Sequence, residues 1–123
     1  MSEDIKFDVK IKYEKEVVCM YLKGFLDAHT ASELENAIQS TISEGKYKIL
    51  MNFEQLDYIS SAGLGVFMSF IEEIRNKNGD IKMSNMSDKV FSVFDLLGFP
   101  MLFDIDKDEE ICLQKFYENK IKE

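Results

Sequence analysis

The chain has 123 residues, of which 46% are hydrophobic and 31% are charged, a balance typical of one soluble globular domain. Its 23 acidic and 15 basic residues give a net charge of −8, which argues against nucleic acid or an anionic membrane surface as the main partner, because both need clustered positive charge. The charged start of the chain carries no targeting segment, and no apolar run approaches the roughly 18 residues that span a bilayer, so we expect a cytoplasmic protein.

The first part of the chain has the pattern of a β-hairpin. Residues 7–13 alternate between apolar and polar side chains, which predicts a strand with one buried face. Residues 17–22 form a nearly continuous apolar run, typical of a more central strand, and the short link between the two predicts antiparallel pairing. Cys19 and Cys112 lack metal-ligand spacing, so we expect both to be small core residues in a reducing compartment.

Strand and helix patterns alternate after the hairpin. Further strand patterns occur at 48–53, 80–85 and 101–105, and apolar stripes at helical spacing occur at 31–42, 64–74, 90–97 and 113–117. The resulting order is β-β-α-β-α-β-α-β-α. We therefore predict an α/β fold, a single domain in which a mixed, partly parallel sheet begins with a hairpin and is covered by helices.

Two pairs of residues have the spacing of helix caps. Thr30 and Glu33 fit a capping box at the start of the first helix, in which each side chain satisfies the free backbone N–H of the other. Asp106 and Glu109 have the same spacing before the last helix. Gly45 is expected to end the first helix.

The stretch SSAGLG, residues 60–65, lies where the third predicted strand meets the second predicted helix. Open α/β sheets commonly bind ligands at such strand ends. The first N–H groups of a helix lack internal partners and the helix dipole adds partial positive charge, so an anionic group is favoured there. Gly63 and Gly65 have no side chain to crowd such a group, and Ala62 adds only a methyl.

The residues alone leave three interpretations of this stretch open. In the first, Ser60 or Ser61 only caps the helix, a role that serine often fills. In the second, the stretch binds a free phosphate, although it lacks the Lys-Ser/Thr ending of a P-loop and the spacing of a dinucleotide fingerprint. In the third, a serine acts as a nucleophile with His29, the sole histidine, as its base, although the stretch does not match G-x-S-x-G. One histidine also gives no convincing metal site, and we predict no cofactor.

Four motifs carry a resemblance to a known family. They are LKGFLDAHTASEL at 22–34, YISSAGLGV at 58–66, the glycine at 79 before the next strand, and VFDLLGF at 93–99. In this order they resemble the anti-sigma factor antagonist family, the bacterial members of the STAS domain group, and the likeness runs through essentially the whole chain. The resemblance implies a STAS-like fold for a single domain over residues 3–120.

The resemblance implies a regulatory binding protein and not an enzyme. In that family the unphosphorylated antagonist binds an anti-sigma factor, which is also a GHKL-type serine kinase, and thereby releases the sigma factor. The kinase then phosphorylates the antagonist and breaks the complex, and a PP2C-type phosphatase restores it. Alignment on Gly63-Leu64-Gly65 implies that Ser61 is the phosphoacceptor and that Asp27 is the acidic residue of the partner-binding loop.

Two positions depart from the family pattern. Many members have Asp at the position of Ser60 and Ser or Thr at that of Ala62, so this chain has a second hydroxyl beside Ser61, and phosphorylation of Ser60 stays open. The residues implied to contact the partner surround the acceptor and include the loop aspartate: Asp27, Ser60, Ala62, Gly63, Leu64 and Gly65. Two alternative functions remain, a STAS subunit of another regulatory or transporter assembly (a stressosome or a non-sigma output) and a small serine hydrolase.

Overall fold

A computed structural model of the chain describes residues 6–121, with side chains described up to residue 117. In these residues five strands form one sheet: β1 (Phe7–Glu14), β2 (Val17–Leu26), β3 (Lys48–Ile59), β4 (Asp80–Ser84) and β5 (Asp104–Asp106). The strands lie side by side in chain order. Strand β1 pairs antiparallel with β2, and the other neighbours pair in parallel. The predicted hairpin and mixed sheet are confirmed.

Four helices and one short 3-10 turn complete the described part of the chain: α1 (Ala31–Ser43), α2 (Ser61–Asn76), α3 (Asp88–Leu96), the turn (Phe99–Met101) and α4 (Glu109–Ile121). The predicted order β-β-α-β-α-β-α-β-α is confirmed. Parallel strands require such crossovers, because the chain must return to the start of the next strand. The carboxyl ends of β2, β3 and β4 therefore meet the starts of α1, α2 and α3 at one edge of the sheet. None of the described helices is long and apolar enough to cross a membrane.

The helices cover the sheet on both faces. Helices α1, α2 and α3 enclose the main core, in which the rings of Phe53, Phe67 and Phe94 have centroids 5.5 to 6.3 Å apart. Helix α4 covers the other face, where Cys19 and Cys112 belong to a second, smaller core. Burial raises the pKa of Cys19 to about 11 and that of Cys112 to about 12, so both thiols stay protonated at neutral pH. Their predicted role as small core residues is confirmed.

The predicted capping box of α1 is wrong. Thr30 does precede the helix, but its hydroxyl makes no capping hydrogen bond to Glu33. The hydroxyl instead donates to the carbonyl of Phe25 at 2.8 Å. The side-chain acceptor at the start of α1 is Asp27, whose Oδ1 accepts from the Thr30 N–H at 3.2 Å.

The predicted cap of α4 is also wrong. Asp106 is the last residue of β5, and its carboxylate is paired with Lys115, with Nζ and Oδ2 2.9 Å apart. The carboxylate that caps α4 belongs to Asp108, whose Oδ1 accepts from the backbone N–H of Ile111 at 3.1 Å.

The fifth strand begins later than its apolar pattern at 101–105 predicts. Helix α3 ends before Gly98, which has a φ of +78°, a conformation that glycine adopts readily. The next residues form the 3-10 turn Phe99–Met101. Strand β5 therefore begins only at Asp104.

Candidate functional site

Helix α2 begins at the carboxyl end of β3, and Ser60 is the residue between them. Its backbone is extended (φ −106°, ψ 173°), and its Oγ accepts a hydrogen bond from the Gly63 N–H at 3.3 Å. Its own N–H donates to the carbonyl of Leu26, the last residue of β2, at 3.0 Å. Ser60 is therefore the N-cap of α2, and its hydroxyl is engaged within the chain.

Ser61 is the first residue of α2 and is exposed to solvent. It differs from Ser60, which is half-buried and already supplies the capping oxygen. Of the roles that the sequence leaves open, helix capping therefore applies to Ser60. Ser61 presents the hydroxyl that an approaching protein can reach.

The two glycines of the stretch have different surroundings. A Cβ on Gly63 would lie 2.8 Å from Leu26 Cγ, 2.9 Å from Leu26 O and 3.1 Å from Ile59 Cγ1, so glycine allows α2 to approach the ends of β2 and β3 closely. A Cβ on Gly65 would meet no heavy atom within 4 Å. Gly63 thus fixes the start of the helix, and Gly65 leaves open surface beside it.

The remaining residues of the stretch divide between core and surface. Leu64 is 1% exposed and belongs to the main core, so it anchors the first turn of α2 and offers no contact area. Ala62 is exposed. Of the residues implied to contact a partner, the exposed ones are therefore small, and the buried ones position the helix.

Asp27 directly follows β2, in the loop that leads to α1. Its Oδ1 accepts hydrogen bonds from the backbone N–H groups of His29 at 2.9 Å and Thr30 at 3.2 Å. In turn the N–H of Asp27 donates to Thr30 Oγ1 at 3.0 Å. These bonds hold the half-buried carboxylate in one place at the carboxyl end of the strand.

Asp27 and Ser61 lie at the same edge of the sheet. Strands β2 and β3 are parallel neighbours, and Leu26 pairs with Ile59 at their carboxyl ends. The residues that come after these two therefore lie side by side. We call the surface formed by Asp27 and residues 60–65 the serine rim. The structure thus brings together the two groups that the sequence singles out.

His29 is exposed in the loop after Asp27. Its backbone N–H bonds to Asp27, but among the described residues no hydrogen bond joins the His29 imidazole to the hydroxyl of Ser60 or Ser61. The described residues therefore do not form the Ser–His pair that a serine hydrolase uses. They also contain no group of three or more His, Cys, Asp and Glu side chains that could hold a metal ion.

The start of α2 differs in charge from those of the other described helices. The first turn of α2 has no acidic residue. The first turns of α1 and α3 contain Glu33 and Asp88, and that of α4 contains Glu109 and Glu110. Acidic side chains at a helix start offset the partial positive charge of the dipole. At α2 this charge is not offset by the first turn of the helix itself.

Two exposed aromatic residues beside the serine rim were missed by sequence reasoning. Phe25 and Tyr58 are 50% and 44% exposed, and their ring centroids are 5.8 Å apart. The sequence pattern could have predicted their exposure, because each residue directly precedes the last residue of its strand, and that last residue is buried. The two-residue period of a strand then places both rings on the opposite side from the core.

A polar network on the α4 face was also missed. The Tyr21 hydroxyl donates to Glu109 Oε2 at 3.0 Å, and Asn52 Nδ2 donates to Glu109 Oε1 at 3.0 Å. These side chains line a cavity of about 710 Å³. No local pattern predicts this network, because its members come from β2, β3 and α4 and meet only in the folded chain.

Comparisons with known proteins agree on one family. The model of the STAS domain family matches residues 8–111. The chain is 26% identical over 88 residues to an anti-sigma-B factor antagonist of Staphylococcus aureus, a match that covers 72% of this chain and 82% of that protein.

Two solved structures of SpoIIAA are similar to the fold of this chain. The anti-sigma factor antagonist SpoIIAA in its unphosphorylated form has a TM-score of 0.78 and 26% identity, and the match covers 90% of this chain and 97% of that one. The Bacillus cell fate determinant SpoIIAA in its phosphorylated form has a TM-score of 0.69 and 25% identity, with 89% and 99% covered.

Proposed function

Because the chain belongs to the STAS domain family, we propose that it is an anti-sigma factor antagonist whose binding to an anti-sigma factor is controlled by phosphorylation of Ser61. The unphosphorylated protein binds an anti-sigma factor that is also a GHKL-type serine kinase, and thereby releases a sigma factor in the cytoplasm. The kinase inactivates the protein by phosphorylating Ser61, and a PP2C-type phosphatase restores it. In this proposal the protein binds its partners and catalyses no reaction itself.

The observation that carries the proposal is the difference between the two serines of the serine rim. Ser60 supplies the capping oxygen of α2 through its bond from Gly63 N. Ser61 is exposed, and its neighbour Ala62 is exposed and small. These features support Ser61 as the hydroxyl that enters a kinase active site.

The charge of a phosphate on Ser61 has opposite effects in the free protein and in a complex. Phosphorylation adds about −1.5 to −2 charge, and the helix dipole favours that charge at the start of α2, where the first turn has no acidic residue. In a desolvated interface the same charge is costly unless it is paired. Reversing a 99:1 bound fraction takes about 5.5 kcal/mol of differential affinity. The free-energy cost of burying one unpaired dianion is of that size. This supports a switch in which phosphorylation releases the partner without a change of fold.

Asp27 supports the same interface from the neighbouring strand. Its carboxylate is fixed by the N–H groups of His29 and Thr30, and it lies just beyond β2 as Ser61 lies just beyond β3. We propose that this carboxylate contacts the kinase beside the acceptor.

The proposal is tested by incubating the purified protein with the anti-sigma factor kinase of the same organism and Mg-ATP, followed by fragment mass spectrometry. We expect one phosphate, on Ser61. Ser60→Ala keeps the acceptor and should be phosphorylated, whereas Ser61→Ala should take up no phosphate. Phosphate found on Ser60 alone would contradict the assignment of the acceptor.

A further inference from the structure

Phe25 and Tyr58 form a pair of exposed rings at the carboxyl ends of β2 and β3. The ring centroids are 5.8 Å apart and the ring planes are inclined by 34°. Both side chains remain close to half exposed. A single exposed apolar residue is common on protein surfaces, but two aromatic rings in contact form a surface that a partner can cover, and aromatic side chains are enriched among the residues that dominate binding energy.

A β-bulge brings the two rings together. Gly24 pairs with Leu56 and Phe25 pairs with Tyr58, so Asp57 has no partner on β2. In regular pairing Asp57 would lie opposite Phe25, and the rings would not meet. Bulges redirect side chains in this way and occur often beside functional sites.

The ring pair lies within the radius of a standard interface centred on Ser61. Tyr58 precedes Ser61 by three residues, which span at most about 11 Å. A standard interface buries about 800 Å² on each partner, which corresponds to a disc of about 16 Å radius. Phe25 lies against Tyr58 and is two residues from Asp27. The rings therefore adjoin the serine rim at the carboxyl edge of the sheet, on the face opposite to α2.

We propose that Phe25 and Tyr58 form an apolar anchor for the kinase that binds at the serine rim. The proposal rests on the proposed function, because it adds two residues to that interface. The occupant is the kinase surface next to its active site, and the chemistry of the rings requires an apolar side chain on that surface. The anchor supplies binding energy that does not depend on the hydroxyl of Ser61.

Two other exposed apolar residues provide a matched control. Leu96 and Met101 are 83% and 91% exposed, more than either ring. They belong to the segment held at the far end of α2, where Arg75 Nη2 donates to the carbonyl of Leu102 at 2.6 Å. Arg75 lies about 21 Å along the helix from Ser61, outside the disc of the interface.

The test compares dissociation constants for the purified anti-sigma factor kinase, measured by calorimetry. We expect Phe25→Ala and Tyr58→Ala each to weaken binding by about tenfold. Tyr58→Phe keeps the ring and should bind like the wild type, and so should Met101→Ala. In the phosphorylation assay the KM of the Ala variants should rise while kcat stays unchanged. The reason is that the rings contact the kinase equally in the bound complex and in the transition state. Thermal midpoints of all variants should stay close to that of the wild type.

Ser61→Asp in the same assay separates the two proposals. If the wild type does not bind, or if Ser61→Asp binds as well as the wild type, the proposed function fails and the anchor fails with it. If Ser61→Asp weakens binding but Phe25→Ala and Tyr58→Ala do not, only the anchor is overturned. An equal loss in Met101→Ala also overturns it. A changed oligomeric state of Phe25→Ala in sedimentation, with unchanged kinase affinity, assigns the rings to a second copy of the chain instead.

Discussion

Helices α2 and α4 begin with the same kind of cap and differ in the composition of their first turns. Ser60 caps α2 by accepting from the N–H three residues on, and Asp108 caps α4 in the same way. The first turn of α4 then supplies two acidic residues, and one of them, Glu109, also accepts from the hydroxyl of Tyr21. The first turn of α2 supplies a hydroxyl, a methyl, one glycine and the buried Leu64.

The difference shows that acidic side chains of the chain itself offset the dipole at one helix start and not at the other. At α4 Glu109 and Glu110 offset the dipole, and Asp108 accepts from the N–H of Ile111. At α2 Ser60 supplies the capping oxygen, but the first turn has no charged side chain. The surface beside Gly65 is open. A negative charge placed on Ser61 would therefore meet a favourable dipole and no competing carboxylate in that turn.

The largest expected effect on kinase binding comes from placing a permanent charge at Ser61. Ser61→Asp should bind the anti-sigma factor kinase about 30-fold more weakly than the wild type, a loss of about 2 kcal/mol, because its carboxylate is buried in the interface without a partner. Ser61→Ala should bind persistently, since it cannot be phosphorylated.

Both Ser61 variants should fold, because an exposed side chain is changed and the Ser60 cap is kept. Calorimetry gives the affinities, and thermal unfolding in the absence of kinase gives the stabilities. Equal affinity of Ser61→Asp and Ser61→Ala would show that charge at this position does not control binding.

A second effect separates the two glycines of the serine rim. Gly63→Ala should lower the free energy of unfolding by about 1–3 kcal/mol, because its Cβ overlaps Leu26 and Ile59. Gly65→Ala should raise it by about 0.5–1 kcal/mol, because alanine favours the helix and meets no atom. Urea unfolding of both variants provides the measurement. A Gly63→Ala protein as stable as the wild type would mean that α2 does not depend on this close approach.

Much of the fold is predictable from apolar periodicity, and the errors have identifiable physical causes. Strand β3 extends to Ile59, beyond the predicted 48–53, because its later part contains bulges that interrupt the two-residue pattern. The strand pattern at 80–85 is confirmed, but it does not show that Lys82 is only 2% exposed. Its ammonium is paired with Asp104 at 2.7 Å under α4, and this hydrogen bond holds the pKa of Asp104 below its ordinary value. Such a pair joins two strands and has no local signal.

The candidate site is predictable in its location but not in its details. The position of residues 60–65 between strand and helix is clear from the sequence pattern. The division of roles between Ser60 and Ser61 is not, because either serine has the composition of a cap and only the backbone geometry selects Ser60. Likewise the pairing of Phe25 with Tyr58 depends on a bulge, which a sequence period cannot locate.

A third, smaller effect concerns Asp27, in the loop that follows β2. Asp27→Ala should lower the free energy of unfolding by about 1 kcal/mol, because the His29 N–H loses its acceptor and the Thr30 N–H keeps only the backbone carbonyl of residue 27. It should also weaken kinase binding. Asp27→Asn is the matched control, since its carbonyl oxygen can keep these bonds while the charge is lost. We expect Asp27→Asn to keep the thermal midpoint and still bind more weakly. Full affinity in both variants would leave Asp27 a purely structural role.

The smallest effect tests the charge difference between the two helix starts directly. Ala62→Glu places a carboxylate in the uncharged first turn of α2 and should raise the free energy of unfolding by about 0.3–1 kcal/mol, whereas Glu110→Gln removes one from α4 and should lower it by a similar amount. Ala62→Gln is the control for the longer side chain.

Because Ala62 and Glu110 are both exposed, salt should reduce both effects, since the Debye length falls to about 3 Å at 1 M. Urea unfolding at low and high salt measures these differences. If Ala62→Glu is no more stable than Ala62→Gln at low salt, the start of α2 has no positive charge left to offset, and the dipole does not help the folded protein accept a phosphate on Ser61.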